Sequence, residues 1–529
     1  MVVAGSLLRA TAGAISASRV QQPAGLRTAP VGAVSLTRSR KPTSMAAAKG
    51  ISFASSTSVR GGVTLPVRLR KPDSRCTRGR GQLDCSAFGP PPQADDGTAD
   101  VKIVDPALKT DQTEGWRKRW TMVGLCFMAF MLCNMDRVNM SIAIMPMAKE
   151  FAWNSATVGL IQSSFFWGYL LTQILGGVWA DRYGGKVVLG FGVVWWSLAT
   201  MLTPVAVRAG LPVLLTMRMC MGIGEGVAMP AMNSIIAKWV PGSERSRSLA
   251  VLYSGQFLGS VAGLSLSPAM VSSLGWPSVF YGFGVLGLVW IVFWLKIAAN
   301  NPAEDPSLAE TEKSFIMANT SGGGKLDKVP WKMLLSKKAT WAIIISHFCH
   351  NWGTFILLTW MPTYYQQVLG LNLAQSGLYS VMPWICMTIM ANVAGNVADK
   401  MVAKGISTTT VRKVMQTIGF MGPAIFLMKL RTVDSVMAAV LCMCGSQGAD
   451  AFSHSGLYSN HQDIGPRYAG VLLGMSNTAG VLAGVFGTYA TGLILQHGGW
   501  NDVFKVSICF YILGTLVWNL FSTGEQVFE

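Results

Sequence analysis

Gly177-Val178-Trp179-Ala180-Asp181-Arg182 returns 218 residues downstream as Gly395-Asn396-Val397-Ala398-Asp399-Lys400. Each copy stands where an apolar run gives way to a short basic turn. A duplicated Gly-x-x-Ala-Asp-(Arg/Lys) at two helix ends marks a chain made of two similar halves, a plan common among membrane proteins with internal repeats.

The sequence around the two copies fits that plan. Apolar segments long enough to cross about 30 Å of hydrocarbon at about 1.5 Å per helical residue fall near 119-146, 156-180, 187-207, 211-238, 248-273, 277-299, 340-366, 375-398, 411-430, 434-459, 467-492 and 500-521. They form two sets of six around a polar stretch that contains Asn301-Pro302-Ala303-Glu304-Asp305-Pro306 and Ser321-Gly322-Gly323-Gly324. The expected fold is an all-α membrane protein of twelve transmembrane helices in two six-helix bundles, 117-299 and 340-521, with a central loop at 300-339 and a short tail at 522-529. Bulk composition agrees: 529 residues that are 51% hydrophobic and 13% charged, with a mean hydropathy of +0.40, cannot be arranged as a soluble globule. Lys and Arg of the flanks and loops divide 20 to 5 between the two sides, which puts both ends of the membrane domain on the basic side. Both copies of the motif fall on that side, after spans two and eight, and Arg245 and Arg247 follow span four there. Asp181, Arg182, Asp399 and Lys400, with Arg245 and Arg247, read either as a gate of helix-end charges or as plain turns, Gly184-Gly185 permitting the tight loop. Two copies at matching positions in a six-plus-six chain point to the major facilitator architecture.

Net charge excludes one class of partner. Residues 1-80 carry 14 Lys+Arg against one acid, Asp73, so +13 of the total +18 sits there, while the remainder holds 29 basic and 24 acidic residues. A nucleic-acid surface is therefore not expected. Residues 1-72 have no Asp or Glu, 16 Ser+Thr and no apolar run for a signal peptide. This composition reads as a chloroplast transit peptide over 1-80, a disordered cytosolic tail being the alternative. The stretch 81-116, with Gly89-Pro90-Pro91-Pro92, reads as a disordered linker. The ten Cys lack metal-ligand spacing, and no nucleophile-base set or phosphate-cradling loop appears, so neither a metal, nor a cofactor, nor an enzyme is expected.

Charges inside the spans carry the functional reading, because an ionised group at the bilayer centre costs about 2.5–3.5 kcal/mol even on insertion scales. Span one contains Asp136-Arg137-Val138-Asn139. Arg137 offers a permanent fork of donors suited to phosphate or carboxylate, or else it locks helix packing in an ion pair. In span four, Arg218 and Glu225 stand two turns apart on one face, with Gly222, Gly224 and Gly226 admitting another helix or a ligand. Glu225 is the leading candidate to take up and release a coupling proton, with a structural Glu–Arg pair as the rival. Span seven places His347 and His350 at i, i+3, where His350 is a ligand donor or proton relay, or a packed histidine. Span ten places Asp450 and His454 at i, i+4, a candidate proton or sodium site.

Asp136-Arg137-Val138-Asn139-Met140-Ser141, Arg218-x-x-x-Gly222-x-x-Glu225-Gly226, Lys238-Trp239-Val240-Pro241-x-x-Glu244-Arg245-Ser246-Arg247, His347-Phe348-Cys349-His350-Asn351-Trp352-Gly353 and Ser459-Asn460-His461-Gln462-Asp463 resemble the plant chloroplast anion transporters. These are the plastid branch of the anion:cation symporter family, and the resemblance runs from about 116 to 525. It implies carriage of a small anion, inorganic phosphate or ascorbate, coupled to Na+ or H+ or to the membrane potential, through a multi-pass chloroplast membrane protein. Carried over by motif, Arg137 corresponds to the substrate-binding Arg and Glu225 to the coupling carboxylate, with Asn139, Arg218 and His350 around the substrate. Vesicular glutamate carriers have an Arg where this chain has His350, which favours a monovalent anion such as dihydrogen phosphate or ascorbate over a dicarboxylate-like one. An anion channel or a transporter-like receptor remains as a reading of another class. The lipid bilayer is the expected surrounding and a monomer the simplest expectation.

Overall fold

A computed structural model describes residues 117–320 and 329–528, all within the compact unit Gly97–Glu529. The expected transit segment and linker, 1-80 and 81-116, lie outside the described residues, as do Ser321-Gly322-Gly323-Gly324.

Among the described residues there are twelve long helical segments and no strand. The N-terminal half holds Lys118–Glu150, Ser155–Tyr183, Gly185–Ala209, Leu211–Trp239, Gly242–Leu274 and Pro277–Ile297. The C-terminal half holds Lys338–Leu369, Leu373–Ala403, Thr408–Leu430, Val436–Ile464, Pro466–His497 and Trp500–Phe521. Helices dominate because hydrocarbon supplies no partner for an open backbone N–H or C=O. Ten of the segments are long and apolar enough to cross a membrane, and the second makes eleven if its two arms, bent 46° apart, count as one. The ninth reaches spanning length, but Arg412, Lys413 and Lys429 lower its hydropathy.

Spans two and eight are alike at both ends. Asn154 caps span two by accepting from Thr157 N–H at 2.8 Å, and Asn372 caps span eight by accepting from Gln375 N–H at 2.9 Å. These caps are 218 residues apart, the same offset as the Asp181 and Asp399 motifs at the opposite ends. Span two stops at Gly184, whose φ of +90° is open to glycine. A Cβ there would also strike the Asn300 side chain, whose Oδ1 accepts from Lys186 N–H at 3.0 Å.

The halves meet where span two packs on span eleven and span five on span eight. Small residues permit the approach: a Cβ on Gly159 would lie 2.9 Å from the Thr488 carbonyl oxygen, and one on Gly377 would press on Pro268 and lie 2.7 Å from the Leu264 carbonyl oxygen. Both closures lie at the helix ends remote from the basic loops. On the basic side Gly395, Gly470 and Gly474 have open space where a Cβ would stand.

The central stretch 300-339, expected as a polar loop, carries the helices Glu310–Asn319 and Trp331–Ser336 and a buried carboxylate. Glu312 accepts from the Lys118 and Arg119 backbone N–H groups at 2.9 and 3.1 Å, capping the open start of span one. The same carboxylate accepts from Arg119 Nη1 at 3.1 Å, while Arg119 Nε and Nη2 donate to Glu244 at 2.9 and 3.2 Å. Lys118 pairs with Asp305 and Ser307 beside it. Desolvation pushes the Asp305 carboxyl up, but hydrogen bonds from Lys118 and Ser307 outweigh it and hold the group below its ordinary value. The tail is also docked: Val527 and Phe528 N–H donate to the Ile464 carbonyl at 2.8 and 3.0 Å. Removing one member of a buried ionic cluster leaves a charge stranded, so Glu312→Ala should destabilise the fold by about 3 kcal/mol. Thermal unfolding in detergent, with Glu310→Ala as the exposed control, checks this; equal melting temperatures for the two would count against the capping role.

Candidate functional site

Glycines in span four set the geometry of the site. A Cβ on Gly222 would collide with the Phe165 carbonyl oxygen, and one on Gly226 would lie 2.7 Å from that of Tyr169. Gly168 of span two is reciprocal, abutting the Met219 carbonyl. Spans two and four therefore run backbone against backbone, and Thr172 Oγ1 donates to the Ile223 carbonyl at 2.8 Å. Glu225 lies between the two close-packed glycines and is 1% exposed.

Arg137 reaches Glu225 from span one. Its Nη2 and Nε donate to Glu225 Oε2 at 3.0 and 3.3 Å, and the Cys133 thiol donates to the same oxygen at 3.3 Å. The other oxygen, Oε1, is buried without a partner. The Arg137 guanidinium lies 5.2 Å from the Phe165 ring centre and 4.9 Å from that of Tyr169. Arg218 shares the Phe165 ring, at 5.4 Å, and its Nε is buried without a partner. Two cations thus face one directly contacting carboxylate, and Arg137 keeps 11% of its side chain exposed.

Glu225 pairs across spans with Arg137 and not along its own helix with Arg218, because Arg218 turns towards Met221 Sδ, 3.1 Å from its Nη1, and Phe165. Asp136, on a different face of span one from its neighbour Arg137, is buried, with Oδ1 unpartnered, and lies within electrostatic reach of Arg218. Asn139, expected around the substrate, is fully buried with neither amide atom partnered.

In the C-terminal half the i, i+4 pairing of Asp450 with His454 does not form. Span ten leaves α-helical geometry at Asp450 and passes through a 3₁₀ turn, Ala451–His454, which rotates His454 away. Asp450 Oδ1 instead lies 3.0 Å from His350 Nδ1 across to span seven, and its Oδ2 accepts from Thr354 at 3.4 Å. His454 stacks on Tyr458, ring centres 5.2 Å apart.

The gate residues are not engaged with one another. Asp181, Arg182, Asp399 and Lys400 are exposed, and no ion pair among the described residues involves them. Arg245 donates to the Ala237 carbonyl at 3.0 Å, and Arg247 lies 5.4 Å from the Trp120 ring centre. Sequence reasoning missed Phe165, Tyr169, Cys133 and Tyr458. The first two carry a legible signal, an aromatic i, i+4 pair in span two matching the Gly222, Gly226 spacing of span four. Cys133 and Tyr458 gain meaning only through contacts with other spans.

Comparison with known proteins bears on the family. Residues 125–488 match the Major Facilitator Superfamily. The chain is 63% identical over 437 residues to the chloroplastic ascorbate transporter of Arabidopsis thaliana, covering 82% of this chain and 81% of the relative. It is 65% identical over 416 residues to the chloroplastic sodium-dependent phosphate transport protein 1 of Arabidopsis thaliana, covering 79% and 81%. Among solved structures, a bacterial homologue of the human lysosomal transporter Spinster, inward-facing and occupied, aligns with a TM-score of 0.63 at 16% identity, over 77% of this chain and 97% of that one. The D-xylose-proton symporter aligns with a TM-score of 0.62 at 17% identity, over 77% and 99%. At such identities these two speak for the fold. With a family match spanning most of the membrane domain and relatives above 60% identity, the chain belongs to the Major Facilitator Superfamily and, within it, to the family of chloroplast anion transporters.

Proposed function

We propose that this protein is a secondary active transporter that carries a small anion, inorganic phosphate foremost, across a chloroplast membrane, the inner envelope being the favoured site. One observation carries the reading: Arg137, with two cation–π walls, is held by a single oxygen of a buried glutamate and keeps 11% of its side chain exposed. A planar guanidinium in a low-dielectric cleft is a strong partner for phosphate or carboxylate oxygens. Arg218 adds a second positive charge beside it. Ascorbate is the second reading, favoured by the 63% identity to an ascorbate transporter.

The ion pair supplies a coupling mechanism. While Glu225 is ionised it competes with the anion for Arg137. A proton on Glu225 weakens that pairing and frees the fork, so proton and anion favour each other's binding. Sodium at the same carboxylate would act in the same sense, and similarity to a sodium-dependent phosphate transporter keeps that ion in the test. Rocking of 117-299 against 340-521 would then present the loaded site to the other side. In that state Asp181 and Asp399 would find partners in the closed basic face. Saturable, gradient-driven accumulation separates this reading from a channel or a receptor.

The experiment is uptake of labelled phosphate and labelled ascorbate into liposomes under imposed sodium and proton gradients. Arg137→Ala should lower uptake of the carried anion by at least about tenfold, the scale of one charge-assisted contact; undiminished uptake would sink the binding role. Glu225→Gln mimics the protonated acid. It should raise anion affinity at alkaline pH by about fivefold or more, keep exchange between the two faces, and abolish gradient-driven accumulation. Gradient dependence equal to that of the parent would rule out Glu225 as the coupling group.

A further inference from the structure

Four of the chain's five histidines surround one tyrosine. The ring centres of His347, His350, His454 and His461 lie 5.1, 5.7, 5.2 and 6.4 Å from that of Tyr458. The break in span ten puts them there. Its helix resumes as Leu457–Ile464 after Gly456, where a Cβ would press on Gln416, and this turns Tyr458 and His461 towards spans seven and eleven.

Two of these histidines form a line through Ser476. The Tyr458 hydroxyl lies 3.3 Å from His347 Nε2, and His347 Nδ1 lies 3.0 Å from Ser476 Oγ. His461 Nε2 is 2.7 Å from the same oxygen, and His461 Nδ1 is 3.1 Å from the Tyr458 carbonyl oxygen. That last contact sets the direction of the others, since a carbonyl can only accept. His461 Nδ1 therefore carries a hydrogen, and in the neutral ring Nε2 accepts from the Ser476 hydroxyl. With its one hydrogen used, Ser476 accepts from His347 Nδ1–H, and His347 Nε2 accepts from Tyr458 O–H. Every donor then has an acceptor, and both rings hold the Nδ1–H tautomer.

Ser476 has a spare acceptor, the Leu473 carbonyl oxygen, 3.1 Å away. When His461 Nε2 gains a hydrogen, the serine hydroxyl can swing to Leu473 and accept from the imidazolium. Both protonation states of His461 are thus satisfied without displacement of a heavy atom. His347, Ser476 and His461 are each no more than 2% exposed, whereas Tyr458 is half-buried.

We propose that Tyr458, His347, Ser476 and His461 form a proton relay in the C-terminal half, with His461 as its proton-holding end and Ser476 as its switch. One proton taken up at the Tyr458 oxygen from water in the open side moves one proton along each link. It leaves His347 as the Nε2–H tautomer, Ser476 and Tyr458 still hydroxylated, and one added hydrogen on His461 Nε2. The ionisable groups around His461 are His347 from span seven, Tyr458, His454 and Asp463 from span ten, and Arg412 of span nine, whose Nε donates to Asp463 at 2.6 Å; span eleven contributes Ser476. The Asp450–His350 pair also borders the Tyr458 ring, with the His350 ring centre 5.7 Å from it. The relay rests on the anion-transport reading but is separate from Glu225. Glu225 governs how tightly the anion is held, and the relay governs how fast the loaded carrier turns over.

The test uses the full-length protein in liposomes, with labelled phosphate or ascorbate uptake followed from about pH 4 to about pH 8, a range wide enough for a buried histidine. Ser476→Ala should flatten the pH dependence of the maximal rate by at least about threefold and leave KM within about twofold of the parent. Ser476→Thr, which keeps the hydroxyl, should restore it, and His461→Gln should match the alanine variant. Unchanged pH profiles in Ser476→Ala and His461→Gln would overturn the relay, as would a pH-independent parent rate, with anion transport itself left standing. Loss of uptake at every pH is the signature of a failed anion site, the outcome expected of Arg137→Ala. Because the chain has only five histidines, isotopically labelled histidine in a bilayer sample gives a direct check that needs no variant. Two buried rings should show the Nδ1–H tautomer at alkaline pH, and finding both as Nε2–H would refute the wiring.

Discussion

The contact between Arg137 and Glu225, 3.0 Å from Nη2 to Oε2 inside an apolar bundle, constrains the remainder of the N-terminal half. Neither charge is tolerable there alone, since an isolated ion in a low-dielectric interior costs several kcal/mol. To bring the two together, spans one and four must converge, and span two must lie close enough to supply the Phe165 and Tyr169 walls. Gly168, Gly222 and Gly226 make that convergence possible by removing the side chains that would hold the backbones apart. The pair is nevertheless incompletely satisfied, because Glu225 Oε1 and Arg218 Nε are both buried without partners. Polar atoms left short of partners in an apolar bundle carry an unmet hydrogen-bonding demand, and here they cluster around Arg137 and Glu225.

The two halves handle charge differently. The N-terminal half concentrates permanent cations against carboxylates, whereas the C-terminal half assembles imidazoles, hydroxyls and one carboxylate, Asp450, around Tyr458. The repeat that builds the bundles does not extend to these side chains. It governs helix ends: Asn154 with Asn372, and Asp181 with Asp399. The interior is where the halves have diverged, and the chemistry lies there.

Much of the architecture was legible in the sequence because membrane spans obey a one-dimensional rule: an apolar run of sufficient length crosses, and basic loops stay on one side. The candidate residues were legible for the related reason that a charge in such a run is expensive. Glu225 and Arg137 could be named, but not their pairing with each other. A helix face can be read from spacing within one segment, while a partner on another segment depends on how two helices are rotated and offset. The same limit explains Asp450. Its i, i+4 relation to His454 holds only for a continuous helix, and the 3₁₀ turn at Ala451–His454 breaks it. The central stretch 300-339 looked like a linker because its composition is polar, yet Glu312 is buried there, its carboxylate capping span one and pairing with Arg119.

The sequence by itself determined the number and order of the helical segments, the side on which the basic loops lie, and which residue types carry charge into the membrane. These follow from local hydrophobicity and loop charge, and both are additive along the chain. The tertiary structure alone decided which charges meet, that Asp181 and Asp399 stand exposed with no ion pair among the described residues, and that Tyr458, His347, Ser476 and His461 form one hydrogen-bonded line. Those depend on contacts between segments tens to hundreds of residues apart. Their geometry is set by glycine-mediated packing and by a helix break, and no periodicity within a single span encodes it.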